Sequence, residues 1–143
     1  MGNSETAGPL LPSKWEPTIT KVSADERGEM YSISLPGDRE LMLLHSFKGT
    51  LRGGHSHSCP EALLLLSGRM RYTKKSLLSG RERQEELAEG DWSYNYAGLV
   101  HMGEFLEDSW LIEYKIGVTK EGWTQEHYKP WRERVEAGFQ RKS

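Results

Sequence analysis

The run Gly49-Thr50-Leu51-Arg52-Gly53-Gly54-His55-Ser56-His57-Ser58-Cys59-Pro60-Glu61, followed after six further residues by Gly68, sets two imidazoles and a carboxylate within seven positions. Side chains alternate faces along a strand, so His55 and His57 share one face, about 7 Å apart. Pro60 cannot continue a hydrogen-bonded ladder, and the chain turns near it. Glu61 then opens the apolar run Ala62-Leu63-Leu64-Leu65-Leu66, which reads as a returning strand. That path brings Glu61 back beside the two histidines. Imidazole nitrogen with carboxylate oxygen is a ligand set for divalent iron, manganese, nickel, cobalt or zinc. A chain that places its ligands this way is committed to β-structure around them.

A fourth candidate ligand follows downstream. Gly90-Asp91-Trp92-Ser93-Tyr94-Asn95-Tyr96-Ala97-Gly98-Leu99-Val100-His101 reads as a strand with a glycine-bearing turn that ends on a histidine. The two segments together resemble the cupin superfamily. Gly49, His55, His57, Glu61 and Gly68 occupy the fixed positions of that family's first motif, and Gly90, Gly98 and His101 match its second. Tyr96 stands where the family usually has proline, and Phe105 where it has asparagine. Neither departure touches a ligand. The resemblance covers residues 28 to 117. It implies an all-β fold, a small double-stranded β-helix (the cupin jelly-roll barrel). It also implies one divalent metal ion held by His55, His57, Glu61 and His101.

With 143 residues the chain reads as one domain, 1–143: an irregular N-terminal arm at 1–27, the barrel at 28–117, and a tail with a short helix at 118–143. The net charge of −2, with acids and bases interspersed, leaves no electrostatic footprint for nucleic acid. No stretch approaches the apolar length of a membrane span. The N-terminus lacks the pattern of a secretory signal, and Gly2 with Thr6 fits the loose myristoylation pattern, here read as a flexible start. The single Cys59 suits a reducing compartment, and the expected location is cytoplasmic. Cys59 is read as filling the ligand loop in preference to acting as a thiolate. The expected partners are a small-molecule substrate and a second copy of the chain, as a homodimer, because the proline-bearing arm (Pro9, Pro12, Pro17) suits exchange across a two-fold axis.

Along the barrel, Met30–Leu35 and Leu41–Phe47 read as strands about the turn Pro36-Gly37-Asp38, the second buried on both faces. Arg69–Lys75 continues past Gly68. Ser76 to Glu89 is charged and reads as a solvated loop, and Asp91–Tyr96, His101–Leu106 and Trp110–Ile116 read as further strands. In the tail, Trp131, Val135 and Phe139 recur every four residues, which is one face of a short helix.

Strand alternation gives a first sketch of the pocket. Trp92, Tyr94 and Tyr96 share a face, as do Trp110, Ile112 and Tyr114, and aromatic faces in small barrels usually point inward. Glu113 falls on the opposite face. Phe105 counts onward from His101 toward the cavity, and Met70 and Tyr72 share a face. The expected substrate-binding residues are therefore Trp92, Phe105, Met70, Trp110, Ile112 and Tyr114, with Tyr94, Tyr96 and Tyr72 as catalytic candidates. His45 reads as a hydrogen-bonded strand residue and His127 as a surface residue.

Three neutral imidazoles and one carboxylate give a divalent ion a net charge of about +1 and leave two open positions if it is octahedral. Ferrous iron is the leading expectation, with Mn2+, Ni2+, Co2+ and Zn2+ open. The leading activity is that of a non-haem iron dioxygenase acting on a small oxygenated compound, because the second segment resembles small cupins that cleave diketones and hydroxyacetophenones. The alternative is a redox-neutral lyase, dehydratase, cyclase or isomerase in which the metal is a Lewis acid. A third reading is a non-catalytic small-molecule-binding cupin.

Overall fold

A computed structural model describes residues 16–142. Within them the chain forms β1 (Ile19–Asp25), β2 (Gly28–Leu35), β3 (Arg39–Ser46), β4 (Leu51–His57), β5 (Glu61–Ser67) and β6 (Arg69–Lys75). There follow β7 (Glu82–Ala88), β8 (Trp92–Asn95), β9 (Val100–Phe105), β10 (Ser109–Lys115), β11 (Gln125–His127) and the helix α1 (Lys129–Lys142). Two antiparallel sheets face each other. One runs β1-β2-β3-β10-β5-β8, the other β11-β4-β9-β6-β7. This is the expected jelly roll, with strands passing from one sheet to the other at its corners.

The turn at 58–60 is such a corner. β4 and β5 lie in opposite sheets, so they do not form the hydrogen-bonded return expected of Glu61. Pro60 ends one ladder, and Glu61 enters the other sheet facing the histidines across the interior. Cys59 is buried in this corner.

The inward faces build the core. Leu44, Leu63, Leu65, Met70, Tyr72, Leu87, Phe105 and Leu111 form one buried cluster between the sheets. A second cluster lies outside the five-stranded sheet, where Trp131, Val135 and Phe139 of α1 pack on Val100 and Met102. Burying side chains of this size contributes roughly 1.5–3 kcal/mol each. The Trp131 indole N–H also donates to Glu82 of β7 at 2.7 Å.

Four expectations need correction. The arm is not irregular throughout: Ile19–Asp25 is a strand paired with β2 from Ile19–Ile33 to Asp25–Gly28. It escapes detection because it is an outer edge strand, with Ile19 and Val22 exposed, so no alternation marks it. Pro9 and Pro12 lie outside the described residues. Ser76–Glu89 is not one loop, since Glu82–Ala88 pairs with β6 along its whole length. Its edge position leaves charged residues on the outside and masks the inward Leu87. In the tail, Gln125–His127 adds a short strand to β4. Finally, β3 is only partly buried, with Leu44 and Ser46 its buried residues, and Phe47 lies exposed beyond its end.

Among the described residues no helix is long and apolar enough to cross a membrane.

Candidate metal centre

β4 and β9 are antiparallel neighbours, and His55 pairs directly with His101. Directly opposed residues share a face, so both rings point between the sheets, with His57 two positions along. The ring centroids stand 4.7 Å (His55–His57), 4.8 Å (His55–His101) and 5.0 Å (His57–His101) apart. One nitrogen from each falls within 4.8 Å of the others. Glu61 reaches the group from the facing sheet. Its Oε2 lies 3.5 Å from His57 Nδ1, and its Oε1 lies 3.6 Å from His101 Nε2. The four residues named from their spacing are therefore brought together.

The far side of each ring settles its orientation. His57 Nε2 sits 2.9 Å from Gln125 Oε1, and His101 Nδ1 sits 3.0 Å from the Leu99 carbonyl oxygen. Both acceptors require an N–H, so these nitrogens carry the protons. The lone pairs of His57 Nδ1 and His101 Nε2 then point at Glu61, buried and without hydrogen-bond partners. Burial holds all three imidazoles neutral. It pushes His55 down to about 2 and His57 down to about 3, with neighbouring imidazoles and Lys115 adding to it, and it lowers His101 as well. Neutral nitrogen lone pairs facing carboxylate oxygens repel unless a cation lies between them. The donor set therefore fits a divalent metal, with Gln125 and the Leu99 carbonyl orienting two of its ligands from behind.

Glu61 is itself held from two sides. Asn95 Nδ2 donates to its Oε1 at 3.3 Å and to the Tyr72 hydroxyl oxygen at 2.8 Å. Lys115 Nζ lies 3.1 Å from Oε2 and 4.4 Å from the Trp123 ring centroid. Burial would discharge Lys115, but Glu113 and Glu61 outweigh it and raise its pKa. Glu113, half-buried in the cavity wall, is pushed up to about 7 by burial and then by Glu61.

A cavity of about 370 Å³ opens from the centre, lined by Met70, Tyr72 and Phe105 among others. The other aromatic expectations invert. β8 pairs with β5 so that Asn95 opposes Glu61 and Ser93 opposes Leu63. Those pairs face inward, which turns Trp92, Tyr94 and Tyr96 outward, with Trp92 67% exposed. Tyr94 and Tyr96 are thus corrected as catalytic candidates, and Trp92 as a substrate contact. The same parity governs β10. Leu111, Glu113 and Lys115 line the cavity, while Ile112 and Tyr114 join Trp92 in an outer apolar groove. Trp110 stacks on His45 at 4.3 Å, and His45 in turn lies 3.4 Å from Glu29. Tyr72 stays inside, but burial and Glu61 raise its pKa well above the usual phenol, so it acts as a neutral hydroxyl and not as a base. His127 is exposed at the rim, 5.8 Å from the His55 ring.

Gln125, Asn95, Glu113, Lys115 and Trp123 were not foreseen. An inward charged pair on β10 reads, by alternation alone, as a solvent face. Gln125 sits in a run of three polar residues that carries no periodic signal.

No protein-family model matches the sequence, and no curated protein matches it. Solved structures do match in fold. The capsular polysaccharide assembling protein CapF from Staphylococcus aureus gives a TM-score of 0.63 at 17% identity, over 82% of this chain and 36% of that one. The 7S globulin of Momordica charantia gives 0.63 at 16% identity, over 76% and 35%. A tryptophan-to-tyrosine variant of Bacillus subtilis oxalate decarboxylase gives 0.56 at 19% identity, over 78% and 33%. The chain spans about a third of the length of each of these. What it shares with them is architecture: two facing antiparallel sheets in the cupin-type jelly roll.

Proposed function

We propose that the chain is a metal-dependent enzyme acting on a small oxygenated organic compound, with His55, His57, Glu61 and His101 as the metal ligands. The observation that carries this reading is the pair of buried imidazole nitrogens, His57 Nδ1 and His101 Nε2, that face Glu61 at 3.5 and 3.6 Å with no hydrogen-bond partner. A divalent metal bound there supplies Lewis acidity and, as ferrous iron, redox chemistry with dioxygen. The chain's own residues do the rest. Gln125 and the Leu99 carbonyl hold the ring orientations, Asn95 and Lys115 fix Glu61, and Met70, Phe105 and Leu63 give the cavity an apolar wall.

The finer reading is a non-haem iron dioxygenase. It is supported by a cavity, part apolar and part charged, that opens beside a donor set that suits ferrous iron. The test is oxygen uptake by the iron-loaded protein against a panel of diketones and phenols. Uptake with at least one substrate, lost together with bound metal in His101→Ala, is the expected result. No uptake with any member removes the dioxygenase reading.

One observation favours a second, redox-neutral reading. Glu113 lines the cavity, half-buried, with a pKa raised to about 7, which suits a group that both takes and gives a proton near neutrality. Anaerobic turnover, or full activity with zinc, would select it, and Glu113→Gln would then abolish turnover with metal content unchanged.

A further inference from the structure

The cavity holds a second polar feature, set away from the histidines. At Gly53 and Gly54 the β4–β9 ladder slips by one residue between the pairs Gly53–Met102 and His55–His101. Arg52 and His55 are three positions apart, and on a regular strand they would face opposite sides. The slip restores them to one face, with Arg52 opposite Gly103 and His55 opposite His101. Arg52 therefore lines the cavity.

Its guanidinium is fixed but not satisfied. Nε donates to Ser46 Oγ at 2.8 Å, and Ser46 is fully buried. Among the described residues Arg52 makes no other side-chain hydrogen bond and no ion pair. Burial and the neighbouring Arg27 both work against its charge. Arg27 is itself neutralised by Asp25 at 2.7 Å. Of the cavity-lining acids, Glu40 accepts from Ser32 at 2.6 Å, and Glu113 acts on Arg52 only through space. A partly buried guanidinium normally has a carboxylate in direct contact; here, among the described residues, Asp25 and Glu113 support its charge only through space and neither forms an ion pair with it.

We propose that Arg52 receives the carboxylate of the substrate, so that the substrate is a small organic acid reaching from Arg52 to the histidine and glutamate centre. With Nε committed to Ser46, the terminal nitrogens offer two donors in a plane, which match the two oxygens of a carboxylate. Arg52 and His55 oppose β9 residues two positions apart, about 7 Å along the strand, a span of a few carbon atoms. Met30, Met42 and Leu44 give the carbon skeleton an apolar wall. This assignment rests on the reading of the centre as the site of chemistry.

The test uses the full chain, metal-free and zinc-loaded, and isothermal titration with two matched pairs: 2-hydroxybenzoate against 2-hydroxybenzamide, and 2-oxobutanoate against 2-oxobutanamide. At least one acid should bind about tenfold or more tighter than its amide, the worth of one charge-assisted hydrogen bond. Arg52→Met should abolish the preference while retaining wild-type zinc content and circular dichroism, and Arg52→Lys should retain part of it. The proposal is overturned by equal affinity for acid and amide, by no binding of either acid at millimolar concentration, or by a preference that survives in Arg52→Met. Displacement of the acid by inorganic phosphate at lower concentration overturns it too. If the wild type takes up no metal, the metal reading fails alone, and an Arg52-dependent acid preference in the metal-free protein still supports this one.

Discussion

Two hydrogen bonds on the outer sides of His57 and His101 decide which nitrogens face inward, and burial, which outweighs them, makes the centre sensitive to pH. The folded state holds His55 near 2 and His57 near 3 and lowers His101, against about 6.5 in an unfolded chain. Below about 6.5 the unfolded chain therefore binds protons that the folded chain refuses. Stability from these groups is fully present above that pH and is lost as pH falls, by up to about 1.4 kcal/mol per pH unit for each histidine. Glu113 works in the opposite sense, because its raised pKa favours the folded state at low pH and withdraws that support as pH rises toward 7. Three imidazoles outweigh one carboxyl. The melting temperature of the metal-free protein should fall between pH 6.5 and 5, and a flat or rising profile would contradict the buried neutral rings. At this scale the sequence was legible where spacing alone names a ligand. It was opaque where inside and outside depend on parity: Tyr94 and Glu113 exchange places because β8 and β10 follow Glu61 inward, and aromatic character carries no information about that.

β4 shows how much one irregularity in a strand can do. Gly53 has φ +114°, and a Cβ there would lie 2.7 Å from the His101 carbonyl oxygen. Gly53→Ala should cost about 1–3 kcal/mol in denaturant unfolding and weaken metal binding through His101, since the clash is with backbone that cannot step aside. Unchanged stability and metal affinity would mean that the ladder slip is not rigid. The paired glycines were visible in the sequence, and they mark the ligand strand. Their consequence, Arg52 and His55 on one face, was not, because a slip in register is a property of two strands. The edge strands β1, β7 and β11 were missed for a related reason. Each is buried on one side at most, so charge dominates its composition and the pattern of period two disappears. By contrast, Trp131, Val135 and Phe139 announced α1, because a helix that covers a sheet must keep one apolar stripe.

At the scale of the whole molecule, the outer face of the six-stranded sheet has an apolar groove lined by Ala62, Leu64, Trp92, Ile112 and Tyr114. A second copy of the chain is the proposed cover, placing the same face on both partners across a two-fold axis. Light scattering should then give twice the 16.4 kDa chain mass, and Trp92→Glu should return it to the single-chain value with metal binding intact. A single-chain mass for the wild type would exclude this dimer. The jelly roll as a whole was the most legible level: regular short strands point to a sandwich or barrel, and the resemblance carried by the two glycine-bounded segments implies the jelly roll. The C-terminal segment then acquires a role beyond covering the barrel. Gln125 touches His57 directly, and α1 is anchored only two residues after the strand that carries it. The helix and the candidate metal centre are thus mechanically joined, so that loosening α1 would slacken the hold on any ion placed there.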